Sequence, residues 1–203
     1  MSCKIILASA SPRRKELLAA AGIAFEVIPS TIEERQGGQE TAETFVCRMA
    51  REKAQDVLSR LPTRSPQIVL GADTVVLVDG RTLGKPVSVE DATAMLRMLS
   101  GKEHQVLTAV CLLHREASAA AQPIPTAEDI RTASTTVRFS SLSEVEIQEY
   151  VASGECFDKA GAYAIQGRAS KFVESIDGCY FNVVGLPVSL VYQMLQRHFA
   201  ANE

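Results

Sequence analysis

The chain has 203 residues, 46% hydrophobic and 22% charged, which is enough apolar material for a full-sized core in one domain spanning residues 1–203, with room for two lobes. A formal net charge of −3 argues against the basic stripe of a polyanion binder, so a nucleic-acid polymer is not an expected partner. No apolar run approaches the ~20 residues that span a bilayer, and MSCKIILASASPRR has too short an apolar stretch for a signal peptide, so a cytoplasmic protein without a membrane partner is expected.

Strands and amphipathic helices alternate through the first hundred residues. KIILAS reads as a short buried strand, after which Ser11 and Pro12 open a helix with a capping serine and a proline in its first turn. Gly22 stops that helix, and FEVIP is the next strand. Thr41 to Arg60 forms a long helix with Phe45, Val46, Met49, Ala50, Val57 and Leu58 on one face. QIVLGADTVVLV is nearly continuously apolar, as in a strand buried on both faces. Asp79-Gly80 then makes a tight hairpin turn and RTLGKP returns. Val89 to Leu99 is a helix and HQVLTAVCLLH a strand. REASAAAQPIPTAED is a loop or hairpin connection, and RTASTTVRF a further strand. Ser143 and Glu146 form a capping box for a helix through Val151. GAYAIQGRAS is a turn-rich loop, KFVESIDG a strand and turn, and Pro187 to Phe199 a closing helix. The order implies an α/β protein with a mixed sheet flanked by helices.

Several residues sit where chemistry is the sharper explanation. Arg13, Arg14 and Lys15 crowd a helix start that already carries partial positive charge. With the hydroxyls of Ser9 and Ser11 they suit phosphate oxygens; the alternative is a solvated basic helix start. Asp73 lies inside an apolar strand, where a carboxylate must be paired, metal-bound or protonated. It is a candidate general base or metal ligand, or else a cap on a local turn after Gly71. Lys53 falls on the apolar stripe of its helix and either meets an anion or snorkels outward. Ideal hairpin pairing sets Lys85 opposite Thr74 and away from the face of Asp73, unless Gly84 supplies a bulge. Glu33 and Glu34 follow a strand and matter only if they converge with Asp73 on a divalent ion. The small residues of DKAGAYAIQG let backbone approach a ligand, and the Gln166 amide can both donate to and accept from a uracil-type base. The five cysteines (Cys3, Cys47, Cys111, Cys156, Cys179) are scattered, as are His104, His114 and His198, so neither a disulfide framework nor a zinc site is signalled.

Taken together, LASASPRRKELL, IEE, REKA, GADTVV, GKP and DKAGAYAIQG resemble the Maf family of nucleoside triphosphate pyrophosphatases. The resemblance implies a fold akin to inosine triphosphate pyrophosphatases, with a cleft between two lobes, and a homodimer. It further implies a cytoplasmic enzyme, dependent on Mg²⁺ or Mn²⁺, that cleaves a nucleoside triphosphate between its α and β phosphates. Asp73 matches the family's proton acceptor. Ser9, Arg13, Arg14, Glu34, Lys53 and Lys85 match other site positions, with Glu34 and Asp73 toward the metal, and Arg13, Thr74 and Gln166 match positions linked to base choice. GAYAIQG is similar to the branch acting on dTTP and UTP, with modified pyrimidine analogues in nucleotide-pool cleansing as a related role. Ala164 departs from that branch's glycine, and the stretch Ala117 to Pro125 is longer than usual. The alternatives are a non-catalytic nucleotide-binding regulator of septum formation and a hydrolase releasing orthophosphate.

Overall fold

The computed structural model describes residues 5–62, 67–117 and 127–200. Among the described residues, seven strands, β1 (Ile5–Leu7), β2 (Phe25–Val27), β3 (Gln67–Val78), β4 (Arg81–Leu83), β5 (Glu103–Arg115), β6 (Ala127–Phe139) and β7 (Val173–Asp177), form one mixed sheet in the order β2-β1-β3-β5-β6-β7, with β4 paired to β3, and helices flank it. The chain divides into two compact units. One comprises Met1–Asp73, Thr108–Thr132 and Gly185–Glu203; the other comprises Thr74–Leu107 and Ala133–Val184.

The first unit begins with β1 (Ile5–Leu7), all three residues buried. It runs parallel to β2 (Phe25–Val27) and to β3 (Gln67–Val78), with Leu7 level with Val27 and Leu70. Ala8 N–H donates to the Leu70 carbonyl at 2.8 Å and Ile28 N–H to the Leu7 carbonyl at 3.1 Å, carrying both ladders one step further. Between β1 and β2 lies α1 (Pro12–Ala20), which starts at Pro12 and ends before Gly22, where φ is +68°. Ser11 holds the N-cap position, but its side chain makes no capping bond; instead its N–H donates to Ser9 Oγ at 3.2 Å.

Helix α2 (Ala42–Ser59) is capped by Thr41, whose hydroxyl accepts from Thr44 N–H. Phe45, Val46, Met49, Ala50, Lys53, Ala54, Val57 and Leu58 form its buried stripe. The Leu58 carbonyl in its last turn, and those of Leu61 and Pro62 just beyond it, accept from Arg115, a buried guanidinium. Helix α6 (Val188–Ala200) closes this unit.

The second unit holds the hairpin of β3 with β4 (Arg81–Leu83), turned by Asp79 and Gly80 at φ +49° and +74°. Helix α3 (Val89–Leu99) starts on a Ser88 cap, and α4 (Glu144–Ala152) starts on the expected capping box of Ser143 and Glu146. Strand β5 (Glu103–Arg115) and β6 (Ala127–Phe139) contribute to both units. β6 starts four residues before the expected RTASTTVRF, and residues 118–126 of the expected connection lie outside those described. The Lys171-Phe172 portion of the expected strand is a 3₁₀ turn, Arg168–Phe172, and β7 is Val173–Asp177. A short α5 (Tyr180–Val184) had no periodic signal in five residues. The unit's core packs Leu96, Leu99, Val137, Phe139, Ile147, Tyr163 and Phe172 together.

Candidate active site

Three segments leave the carboxyl edge of the parallel strands of the first unit. Residues 8–14 follow β1, residues 28–34 follow β2, and β3 itself runs on past Leu70, the last residue level with β1. Asp73 therefore stands about 10 Å beyond the shared ladder, at ~3.3 Å per residue. The carboxyl ends of parallel strands are where open α/β sheets bind ligands. Here the edge collects Arg14, Glu34 and Asp73, with Lys53 of the helix packed against β3.

Gly71 and Asp73 point to the same face of β3, toward α2. A Cβ on Gly71 would lie 2.1 Å from the Ala50 carbonyl and 3.0 Å from Ala54 Cβ, so the helix backbone rests directly on this glycine. Gly71 is not a turn, and the reading of Asp73 as a turn cap fails with it: both lie in mid-strand. This close approach brings Lys53, one turn beyond Ala50, against the carboxylate. Lys53 Nζ donates to Asp73 Oδ1 at 2.5 Å and to Glu34 Oε1 at 2.6 Å. Lys53 and Asp73 are 7% and 4% exposed, so the lysine does not snorkel to solvent. Burial pushes the Asp73 carboxyl above its ordinary range, while Lys53 and then Arg14 hold it down.

Of the two acids after β2, Glu34 joins this cluster and Glu33 pairs with exposed Arg35 at the surface. Arg14 is no solvated helix-start cation. It is buried, with Nε donating to the Gly185 carbonyl at 2.9 Å and one terminal nitrogen to the Ala72 carbonyl at 2.8 Å and Ser9 Oγ at 3.2 Å. Burial lowers the Arg14 pKa, opposed by Asp73 and Glu34, and a guanidinium so placed stays charged. Ser9 is buried, whereas Arg13 and Lys15 are half-buried.

Thr74, Lys85 and Gln166 belong to the second unit. Pairing of β4 with β3 stops at Leu83, so ideal alternation does not extend to Lys85, which is exposed. Instead the Gly84 carbonyl accepts from Gly161 N–H at 3.0 Å, joining the GKP segment to the DKAGAYAIQG loop. The loop's small residues pack inward rather than leaving backbone open: a Cβ on Gly161 would meet Val76 at 2.9 Å, and Ala162 and Ala164 are buried. Ala164 N–H donates to Tyr150 Oη, and Tyr163 Oη bonds His104 Nε2 at 2.9 Å. The loop so anchored presents Gln166 at the surface, as it does Lys85.

Among the described residues no group of three or more His, Cys, Asp or Glu forms a metal-binding cluster. Glu34 and Asp73, brought to one ammonium, are nevertheless a pair of hard oxygen donors. Mg²⁺ is commonly held by one or two carboxylates together with water and substrate phosphates, and such a pair fits that arrangement.

A family model described as "Maf: Maf-like protein" matches residues 4–198. The chain belongs to this family. The Maf-like chain is 48% identical over 192 residues to a dTTP/UTP pyrophosphatase of Syntrophomonas wolfei, covering 94% of this chain and 95% of that protein. It is 46% identical over 197 residues to a dTTP/UTP pyrophosphatase of Salmonella typhimurium, covering 97% and 93%. One from Koribacter versatilis is 44% identical over 193 residues, covering 95% and 93%. A solved nucleoside-triphosphatase / dITP/XTP pyrophosphatase from Mycobacterium abscessus matches at TM-score 0.35 and 17% identity over 67% of this chain and 72% of that one, too weak a likeness to argue from.

Sequence reasoning missed Gly71 as a spacer and Arg14 as a buried clasp. A glycine inside a strand marks close backbone approach, and that signal was available. The Arg14 contacts to carbonyls 58 and 171 residues away were not.

Proposed function

We propose that this Maf-like protein hydrolyses dTTP and UTP, and modified pyrimidine analogues of them, to the nucleoside monophosphate and pyrophosphate, as a homodimer in the cytoplasm. The observation that carries the reading is the contact of Lys53 with both Asp73 and Glu34, beside buried Arg14, at the carboxyl edge of the parallel strands. A cluster of two carboxylates and two cations in this position suits a triphosphate and its attacking water; the named relatives direct the choice of bond and base.

In this reading Ser9 and Arg13 bind the phosphates, with the charge of Arg14 acting from beneath. Lys85 adds a further cation, and Arg13, Thr74 and Gln166 discriminate the base. A water attacks the α phosphorus, its proton passes to the Asp73 carboxylate, the α–β phosphoanhydride bond breaks, and pyrophosphate leaves carrying the bridging oxygen. Burial raises the proton affinity of the Asp73 carboxylate while Lys53 opposes its protonation, which makes it a stronger base than a carboxylate in water. Positioned cations at the departing phosphates stabilise the charge that develops there electrostatically. Glu34 and Asp73 would hold Mg²⁺ or Mn²⁺, which when bound would neutralise phosphate charge.

The test is a panel of standard and modified nucleoside triphosphates with Mg²⁺ and with Mn²⁺, scoring pyrophosphate against orthophosphate. Pyrophosphate release strongest with dTTP and UTP is expected. Orthophosphate as the product would refute the reading, and tight nucleotide binding without turnover would point to a regulator.

A further inference from the structure

Glu34 lies in an eleven-residue segment, Ser30 to Glu40, with no helix or strand of its own. A carboxylate on such a segment has no regular structure to fix it, yet Glu34 reaches Lys53 at 2.6 Å. The reason lies on α2. Near the C-terminal end of that helix, Asp56 Oδ2 accepts from Ser30 Oγ at 2.8 Å and from Thr31 N–H at 2.9 Å. Two turns earlier, Arg48 grips the other end of the segment. Its Nε donates to Glu40 Oε1 at 2.8 Å, and one terminal nitrogen donates to Glu40 Oε2 at 2.7 Å and to the Arg35 carbonyl at 2.9 Å. The other terminal nitrogen donates to Glu52 at 3.2 Å, which fixes the arginine to its own helix.

The two grips are eight residues apart, about 12 Å along a helix rising ~1.5 Å per residue. Lys53 sits between them on the same helix, so the segment is laid antiparallel along α2 with Glu34 opposite the lysine. The Arg48 end is built more firmly than a surface ion pair needs to be. Its fork is bidentate, the Glu40 side chain is only 12% exposed, and Glu40 also accepts from Gly37 N–H at 3.1 Å. Arg48 holds the Glu40 carboxyl down at about 2, so the grip stays charged throughout the physiological range.

We propose that Arg48 and Asp56 are positioning residues that strap the Ser30–Glu40 segment along α2 and thereby deliver Glu34 to Lys53 and Asp73. Neither touches the reacting groups; both act through Glu34. The inference rests on the reading of the Lys53 cluster as the hydrolytic site, in that Glu34 must matter to turnover.

The experiment is a double-mutant cycle on dTTP hydrolysis with Glu34→Gln, Arg48→Gln and the pair, alongside Mn²⁺ binding followed by its electron spin resonance and thermal melting of each variant. Arg48→Gln alone is expected to lower kcat about tenfold and weaken Mn²⁺ binding, while lowering the melting temperature equally in the parent and Glu34→Gln backgrounds and leaving the protein folded at the assay temperature. In the Glu34→Gln background it should cost less than twofold, because the group it positions is already gone. Asp56→Ala should show the same dependence on Glu34. If Glu34→Gln is impaired but Arg48→Gln costs the same factor in both backgrounds, the strap is wrong and the site stands. If Glu34→Gln turns over at the parent rate, the reading of the cluster itself fails and the strap falls with it.

Discussion

Replacing Gly71 with alanine tests the packing on which the site rests. The new Cβ would lie 2.1 Å from the Ala50 carbonyl oxygen and 3.1 Å from Ala54 N, where ordinary carbon–oxygen contact begins above about 3 Å. These neighbours are backbone and cannot swing aside, so α2 and β3 must part by roughly 1 Å. Overpacking typically costs about 1–3 kcal/mol, and helix backbone against strand backbone belongs at the upper end. For a chain of this size about 3 kcal/mol corresponds to a melting temperature roughly 6–12 °C lower. The same separation draws Lys53 off Asp73, and a displacement of ~1 Å at a catalytic group can reduce turnover by about 10²-fold. Urea unfolding and dTTP hydrolysis measure the two effects. Gly84→Ala is the control: a Cβ there meets nothing within 4 Å, and stability should hold or rise slightly. A Gly71→Ala protein as stable and active as its parent would refute the argument that this glycine sets the Lys53–Asp73 contact.

Lys53→Met keeps the length of the side chain but strands two carboxylates; leaving a buried charge without its partner costs about 3–5 kcal/mol, readable in urea, and adding Asp73→Leu should recover much of it. His104 is buried against Tyr163 and Phe139, and burial pushes its pKa down from 6.5 to about 4. As pH falls below 6.5 the unfolded chain takes up this proton while the folded protein does not. Stability is therefore lost between pH 6.5 and about 4, approaching about 3 kcal/mol at ~1.4 kcal/mol per unit. His104→Gln, compared with the parent by urea unfolding at pH 7 and 4.5, should show a correspondingly shallower loss, and an equal loss would contradict this assignment. Gln166→Glu should weaken thymine and uracil substrates most in a kcat/KM comparison across bases; a uniform loss would show that Gln166 does not read the base.

Local features carried much of the fold in the sequence. The α2 stripe, the Asp79-Gly80 turn, the Ser143–Glu146 capping box and the α3 boundaries follow from periodicity and capping chemistry, which depend on neighbours a few residues away. The 3₁₀ turn at Arg168–Phe172 and the five-residue α5 are too short for periodicity to register. Within the site, Lys53 and Asp73 drew notice because each set a charge among apolar residues, a conflict that only a partner resolves. On the residues alone Glu34 and Glu33 were indistinguishable, since choosing between adjacent acids requires the path of a segment without regular structure; only the family resemblance singled out Glu34. Lys85 is exposed, as a lysine turned from the face of Asp73 would be, but strand alternation does not place it, because pairing ends at Leu83 and Gly84 turns to Gly161.

The central claim is that Asp73 receives the proton of the attacking water in a site assembled by Lys53, Glu34 and Arg14. Asp73→Asn, nearly isosteric, measures it most directly when nucleotide binding and single-turnover hydrolysis of dTTP are followed on the same folded variant. The account predicts retained binding with pyrophosphate formation slowed by at least about 10²-fold. Single-turnover hydrolysis at close to the parent rate would contradict it.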